Sequence, residues 1–312
     1  MKPRFRRWPA LVLATLLAGP ATGLAQGPAP SPAPTPAALL QQTRVLYPLE
    51  VDGWRAMSEE RFDDARFGVA VRYRNGERWL DLFVYPAGPA AAAQLHRIAE
   101  AERTNILEAA AQSGRRTEPG PLQAIVLPGA QGLDQVEAWE MALAYPEQEV
   151  GSAMLMFARN LYLVKARASG PARLARELPQ QVRDFMASVS TQLAITSTGA
   201  CWLPARIRLV DALPDPEGPD VLASYREPGE PPLAVVTAEG LLVAPAGQAR
   251  AAELAAMLTA QLFPGCVAPE AIEPQVPAHM REIRIEYRPA AEETRRRKAP
   301  RGSRSRARTR TG

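Results

Sequence analysis

The side chains with the sharpest potential chemistry in this 312-residue chain are two cysteines, Cys201 and Cys266, and two histidines, His96 and His279. A zinc site needs three or four converging ligands, and two cysteines with a remote His279 do not supply them. A thiol catalyst needs a Cys-x-x-Cys pair or a neighbouring base, and the chain has neither. A single disulfide is the economical reading in an oxidising compartment, worth roughly 4 kcal/mol for so long a loop. His96 falls on an expected helix surface, where a solvated imidazole is the ordinary case. Gly-x-Ser-x-Gly, His-Glu-x-x-His and Gly-x-x-x-x-Gly-Lys do not occur, and Gly151-Ser152-Ala153 lies in strand context. The acidic pairs Glu59-Glu60 and Asp63-Asp64 are adjacent in the chain rather than facing across a cleft, so they read as solvated loop charge. No metal and no cofactor are expected. An enzyme built from distant loop carboxylates, a periplasmic hydrolase, is the alternative to a binding protein.

The sharpest binding candidate lies on a hairpin. Phe67–Arg74 and Glu77–Tyr85 are strand-like runs around Asn75-Gly76, a strong short-range hairpin signal. A two-residue Asn-Gly turn pairs Arg74 with Glu77, Val71 with Leu80, Val69 with Leu82 and Phe67 with Val84. Those three apolar pairs share one face, because side chains alternate along a strand. The other face carries Arg72 opposite Trp79, then Asp81, with Lys165 and Arg167 expected to join from a later strand. Cations beside an indole suit an anionic ligand; the same pairs also make an ordinary solvent face.

These residues need elements to hold them. A helix is expected after Gly88-Pro89, with Leu95, Ile98, Ala99, Glu102 and Ile106 at helical spacing and Gly114 as its stop. Strands are expected at 122–127, 135–145, 150–158 and 161–168. A closing helix over 171–193 carries Leu174, Leu178, Val182, Phe185, Met186, Val189 and Leu193 on one stripe, with Pro179 kinking or restarting it. The order points to an α+β fold, an antiparallel sheet with helices packed on one face. The hairpin, the Pro89 helix, the 135–168 meander and the 174–193 helix together resemble PsbP-like α/β modules. They also resemble uncharacterised exported proteins of Gram-negative bacteria with the same layout. That resemblance implies binding or assembly rather than catalysis.

The later part reads as a small disulfide-bridged α+β domain. Strands are expected at 206–210, 221–225, 233–237 and 241–244, a helix over 249–263, and a half-exposed strand at 283–287. Proline-rich stretches form its loops, and the bridge offsets a limited core. The domain plan is thus a signal peptide over 1–25, a Pro/Ala-rich linker over 26–49, a sheet–helix domain over 50–195, the small domain over 196–288 and a basic tail over 289–312.

The ends set the compartment. Lys2, Arg4, Arg6 and Arg7 precede an apolar run broken by Gly19 and Pro20, and Gly23-Leu24-Ala25 offers a small-x-small cleavage site. The run is short of the roughly 20 uninterrupted apolar residues of a spanning helix, so cleavage is favoured over an anchor and no membrane span is expected afterwards. A periplasmic or secreted protein follows. The tail carries Arg295, Arg296, Arg297, Lys298, Arg301, Arg304, Arg306, Arg308 and Arg310 with almost no apolar residue, a composition expected to be disordered. The body between leader and tail holds 24 basic and 31 acidic residues, a net −7, so the basic isoelectric point belongs to the ends. An anionic envelope lipid or polysaccharide is the expected counterpart of the tail, beside the alternative of a solvated tail without a specific partner. Nucleic acid is disfavoured by compartment and by the lack of interleaved aromatics. The function expected is an exported, non-catalytic binding or assembly protein of the cell envelope with an unidentified protein partner.

Overall fold

The computed structural model describes residues 39–89, 91–129, 135–272 and 274–287. The expected signal peptide, the proline–alanine segment up to Ala38 and the basic tail lie outside the described residues. The order is β1 (Leu40–Pro48), β2 (Glu50–Val51), β3 (Trp54–Arg61), β4 (Val69–Asn75), β5 (Arg78–Pro86), α1 (Leu95–Gln112), β6 (Glu118–Pro119), β7 (Gln123–Pro128), β8 (Gln135–Tyr145), β9 (Val150–Arg159), β10 (Tyr162–Pro171) and α2 (Leu178–Gln192). It continues with β11 (Ala194–Gly199), β12 (Ile207–Leu209), β13 (Val221–Arg226), β14 (Pro232–Thr237), β15 (Gly240–Val243), α3 (Ala251–Leu262) and β16 (Met280–Glu286).

Nine strands form the largest sheet, in the order β2-β3-β4-β5-β10-β9-β8-β6, with β7 also on β8. Alternation sorts its central strands onto two faces. In β9, Ala153, Leu155 and Phe157 join one apolar cluster while Met154 and Met156 join the other. The α+β class with antiparallel pairing holds, but the helices do not share a face. The stripe Leu178, Val182, Phe185, Met186 and Val189 of α2 packs on the first cluster, and Leu95, Ala99, Ile106 and Ala110 of α1 pack on the second. The reason lies in β8–β10, which are apolar on both sides and so need cover on both. Phe185 sits edge-on between Trp54 and Tyr73, with ring centroids 6.1 and 4.9 Å away. Burying one such ring contributes on the order of 2 kcal/mol.

Two boundaries differ from expectation. Helix α1 starts at Leu95, so Pro89 precedes it in a turn rather than occupying its first turn. Pro179 does sit in the first turn of α2, where a missing donor is harmless.

The linker expected over 26–49 gives way to strand at Leu40. β1 is the centre of a three-stranded antiparallel sheet, β11-β1-β16. It was hidden because polar residues are buried on both of its faces: Thr43 lies on the same face as Val45 and Tyr47, and Arg44 is buried on the other. The boundary expected at 195/196 falls inside β11. One apolar cluster runs through Phe157, Val164 and Phe185 of the earlier part and Val236, Leu254 and Phe263 of the later part.

The later part adds a four-stranded sheet, β12-β15-β14-β13, in which only β12 and β15 run parallel. Cys201 and Cys266 are bonded, with Cα atoms 6.1 Å apart. The bridge fastens the chain after α3 to the chain after β11, and Ser197 within β11 ties the same two segments, its N donating to Gly265 O at 2.8 Å and its O accepting from Val267 N at 2.9 Å. No helix among the described residues is long and apolar enough to cross a membrane.

Candidate functional site: the open end of the large sheet

The β4–β5 hairpin turns one residue later than Asn75-Gly76 suggests. Asn75 pairs with Arg78, leaving Gly76-Glu77 as the turn. Gly76 has φ +57° and Glu77 is not among the positive-φ residues, which matches the need of a II′ turn for glycine at its first central position. The register therefore slips by two: Tyr73 faces Leu80, Val71 faces Leu82 and Val69 faces Val84. An even slip keeps every side chain on its face, so the apolar sorting survives although the partners change. Phe67 lies before the strand and is exposed. The chain enters β4 at Gly68, whose φ is +65° and where a Cβ would stand 1.9 Å from Val84 O, so only glycine fits.

All five residues expected on the polar face do share it, but not with the expected neighbours. One cross-strand row runs Arg74, Trp79, Ser169, Ser152 over β4, β5, β10 and β9; the next runs Arg72, Asp81, Arg167, Met154; the third runs Ala70, Phe83, Lys165, Met156. Arg72 opposes Asp81 rather than Trp79, gripping both carboxylate oxygens at 2.7 and 2.8 Å. That fork holds the Arg72 guanidinium above its ordinary pKa against the opposing effect of burial. The pair is partly solvated and worth at most about 1 kcal/mol.

Helix α1 divides this face. It covers the methionine-lined strands, resting on Met141, Met154, Met156 and Leu163, while His96 stacks on Trp139 with centroids 4.3 Å apart. Lys165 falls at the boundary of that cover. Its Nζ lies 2.7 Å from Glu102 of α1 and 5.2 and 5.5 Å from the Phe83 and Tyr85 rings, so its charge is already compensated. Burial, reinforced by Glu102, pushes the Tyr85 phenol well above its usual range.

Beyond α1 the sheet is open. Trp79 keeps 39% of its surface exposed and Met57 58%. Arg167 donates to Tyr145 Oη at 2.9 Å and Arg74 to Gly76 O at 2.8 Å, and neither makes an ion pair among the described residues. Arg74 is the residue that reading the sequence missed, because the Asn-Gly register sent it to Glu77. Gly76-Glu77, equally able to turn a hairpin, was the signal that would have placed it beside Trp79.

Elsewhere, a cleft of about 120 Å³ opens where β6 and β7 leave a gap along β8, lined by Pro121, Glu140, Met154, Pro179 and Arg183. Its one carboxylate, Glu140, is clamped by both arms of Arg183. Glu282 is likewise bonded to Arg44 and Arg284, and Glu59 to Tyr47. Among the described residues no group of three or more His, Cys, Asp or Glu is arranged to hold a metal ion.

No protein-family model matches the chain, and no curated protein matches it. Among solved structures, the chain is similar to the solution structure of cyanobacterial PsbP (CyanoP) from Synechocystis. The match has 14% identity and a TM-score of 0.34 and covers 51% of this chain and 97% of that one. The resemblance is one of fold, and a weak one.

Proposed function

We propose that this chain is an exported, non-catalytic binding or assembly protein of the cell envelope, retained at an anionic surface by its basic tail. The observation that carries the reading is where the folded part begins and ends. Tyr287 N donates to Gln41 O at 3.0 Å, Cys201 N donates to Leu39 O at 3.0 Å, and Gln42 pairs with Glu286. The chain thus enters and leaves the fold on adjacent strands, roughly 5 Å apart. Once the leader is removed, the nine tail cations follow directly on this end of the fold, so their attraction to an anionic surface acts there. Each Lys or Arg gains on the order of 1 kcal/mol near an anionic bilayer, and salt screens that attraction within about 10 Å. The buried disulfide suits an oxidising compartment.

The test is co-sedimentation of the purified mature protein with vesicles of phosphatidylcholine, with and without phosphatidylglycerol. Binding should need the anionic lipid, fall at least tenfold between 50 and 500 mM salt as expected for screened charge, and vanish when the nine tail cations become Gln. Equal retention on neutral vesicles, or full retention by the tail variant, would sink the reading. Fractionation of cells should find the protein outside the cytoplasm with Cys201 and Cys266 oxidised.

A further inference from the structure

The open end of the large sheet is a second, independent feature. Across β4, β5 and β10 the rows of Trp79 and Asp81 hold three arginines, Arg72, Arg74 and Arg167, against one carboxylate, and on β3 and β2 the Trp79 row continues with Arg55, itself paired with Glu50. Asp81 gives both oxygens to Arg72, and Arg74 and Arg167, on either side of the exposed indole, make no ion pair among the described residues. Glu60, across from Ala70, borders the patch one row further on. This concentration of cations sits in a body whose net charge, these residues included, is −7. From strand spacing, the Arg74 and Arg167 backbones are roughly 12 Å apart along a diagonal that passes Trp79.

We propose that this face binds an acidic glycan. One sugar ring lies with its C–H face on the Trp79 indole, and acidic groups to either side meet the Arg74 and Arg167 guanidiniums. A guanidinium fork matches a carboxylate or phosphate in the plane of its two donors. An indole offers a rigid apolar plate at little entropic cost. The hydroxyl of Ser169, half-exposed beside Trp79 in the same row, adds a polar group that a sugar hydroxyl can meet. An extended acidic peptide fits less well. β4, β5 and β10 are interior strands whose main-chain groups are already paired, so no edge is free here for an added strand.

The site is separate from the tail, and the experiment keeps the two apart by using full-length mature protein with the nine tail cations changed to Gln. The probes are hexagalacturonate, the neutral cellohexaose of equal length, and hexaglutamate. They are titrated by calorimetry and by the indole N–H resonance that Trp79→Phe removes. Hexagalacturonate should bind and shift that resonance, and cellohexaose should not. Trp79→Ala, and Arg74→Gln with Arg167→Gln, should each weaken binding at least tenfold with unchanged melting temperature, while Trp79→Phe should stay within about threefold of the parent. Binding indifferent to Trp79→Ala overturns the proposal. So does binding that disappears with the tail cations, or hexaglutamate binding as tightly with the same dependence on Trp79. None of these outcomes bears on retention at anionic vesicles, which is read from the tail.

Discussion

The three-stranded sheet differs from the nine-stranded sheet in the polar set it buries beside its apolar residues. In the large sheet, both faces of β8–β10 are apolar, and each is covered by one amphipathic helix. In the small one, Leu40, Val45, Ile195, Ile283 and Ile285 join the core, but Thr43, Arg44, Ser197 and Thr198 are buried with them and meet partners from remote parts of the chain. Thr43 Oγ1 meets the Tyr162 hydroxyl and lies 2.9 Å from Ser197 Oγ, and the Tyr162 and Tyr287 hydroxyls are 2.7 Å apart. Arg44, buried on the same strand, bonds Glu282 at 2.6 Å and Gln275 O at 3.0 Å. Burial pushes both phenols upward, well away from neutral pH, so the network carries hydroxyls rather than phenolates. Apolar burial is tolerant of partner and gives bulk stability. A buried polar set is costly unless every member is met, so it selects one arrangement of the chain ends. The large sheet supplies stability, and the small one fixes where the beginning and end of the fold lie.

The largest effect should come from breaking the first term. Phe185→Ala opens a cavity between Trp54 and Tyr73 and should cost about 3–5 kcal/mol, read by urea denaturation at pH 7. The loss should appear in hydrogen exchange across the whole nine-stranded sheet. Next comes the disulfide. Replacing Cys201 and Cys266 together with Ser should cost roughly 4 kcal/mol through a loop of this length. Here the exchange should rise first in the four-stranded sheet and in β11, which the bridge fastens, with β8–β10 still protected. If both variants lose protection uniformly, the two regions are not distinct in how they are held.

The same contrast explains what the sequence could tell. The α2 stripe, β8–β10, and the strands and helix of the later part follow apolar periods that local inspection detects. The large sheet was therefore legible except for its hairpin register, where Asn75-Gly76 and Gly76-Glu77 competed and both preserve the faces. β1, β3 and β11 were not read. β1 and β11 bury Thr43, Arg44, Ser197 and Thr198, residues whose polarity argues for a surface until their distant partners are known. β3 has its alternation shifted by a bulge between Ala56 and Ser58. The candidate face was legible as a set of residues on one side of a sheet. That Lys165 would be covered by Glu102 was not, because the pairing depends on where α1 lies over the sheet.

The smallest of the three effects tests the polar term alone. Burial works to raise the Glu282 carboxyl, but hydrogen bonds from Arg284 and Arg44 outweigh it and hold the pKa below the ordinary carboxylate value. A carboxylate with a folded pKa below its unfolded one, about 4.3, stabilises fully above the unfolded value. That stabilisation is lost as pH falls through the folded one. Glu282→Gln removes the negative charge that Glu282 sets against Arg44, and Arg44 has only 7% of its side chain exposed. The cost at pH 7 should be about 2–3 kcal/mol, toward the low end for a broken buried pair because Gln275 O still accepts from Arg44. Other carboxylates titrate over the same range in both proteins, so the useful quantity is the difference in unfolding free energy between parent and variant. It should be widest at pH 6–7 and shrink below about pH 4, where a protonated Glu282 resembles the glutamine. A difference that stays constant from pH 7 to pH 3 would mean that the Arg44–Glu282 pair contributes shape and hydrogen bonding but not charge, and the polar term of the comparison would have to rest on the hydroxyl network instead.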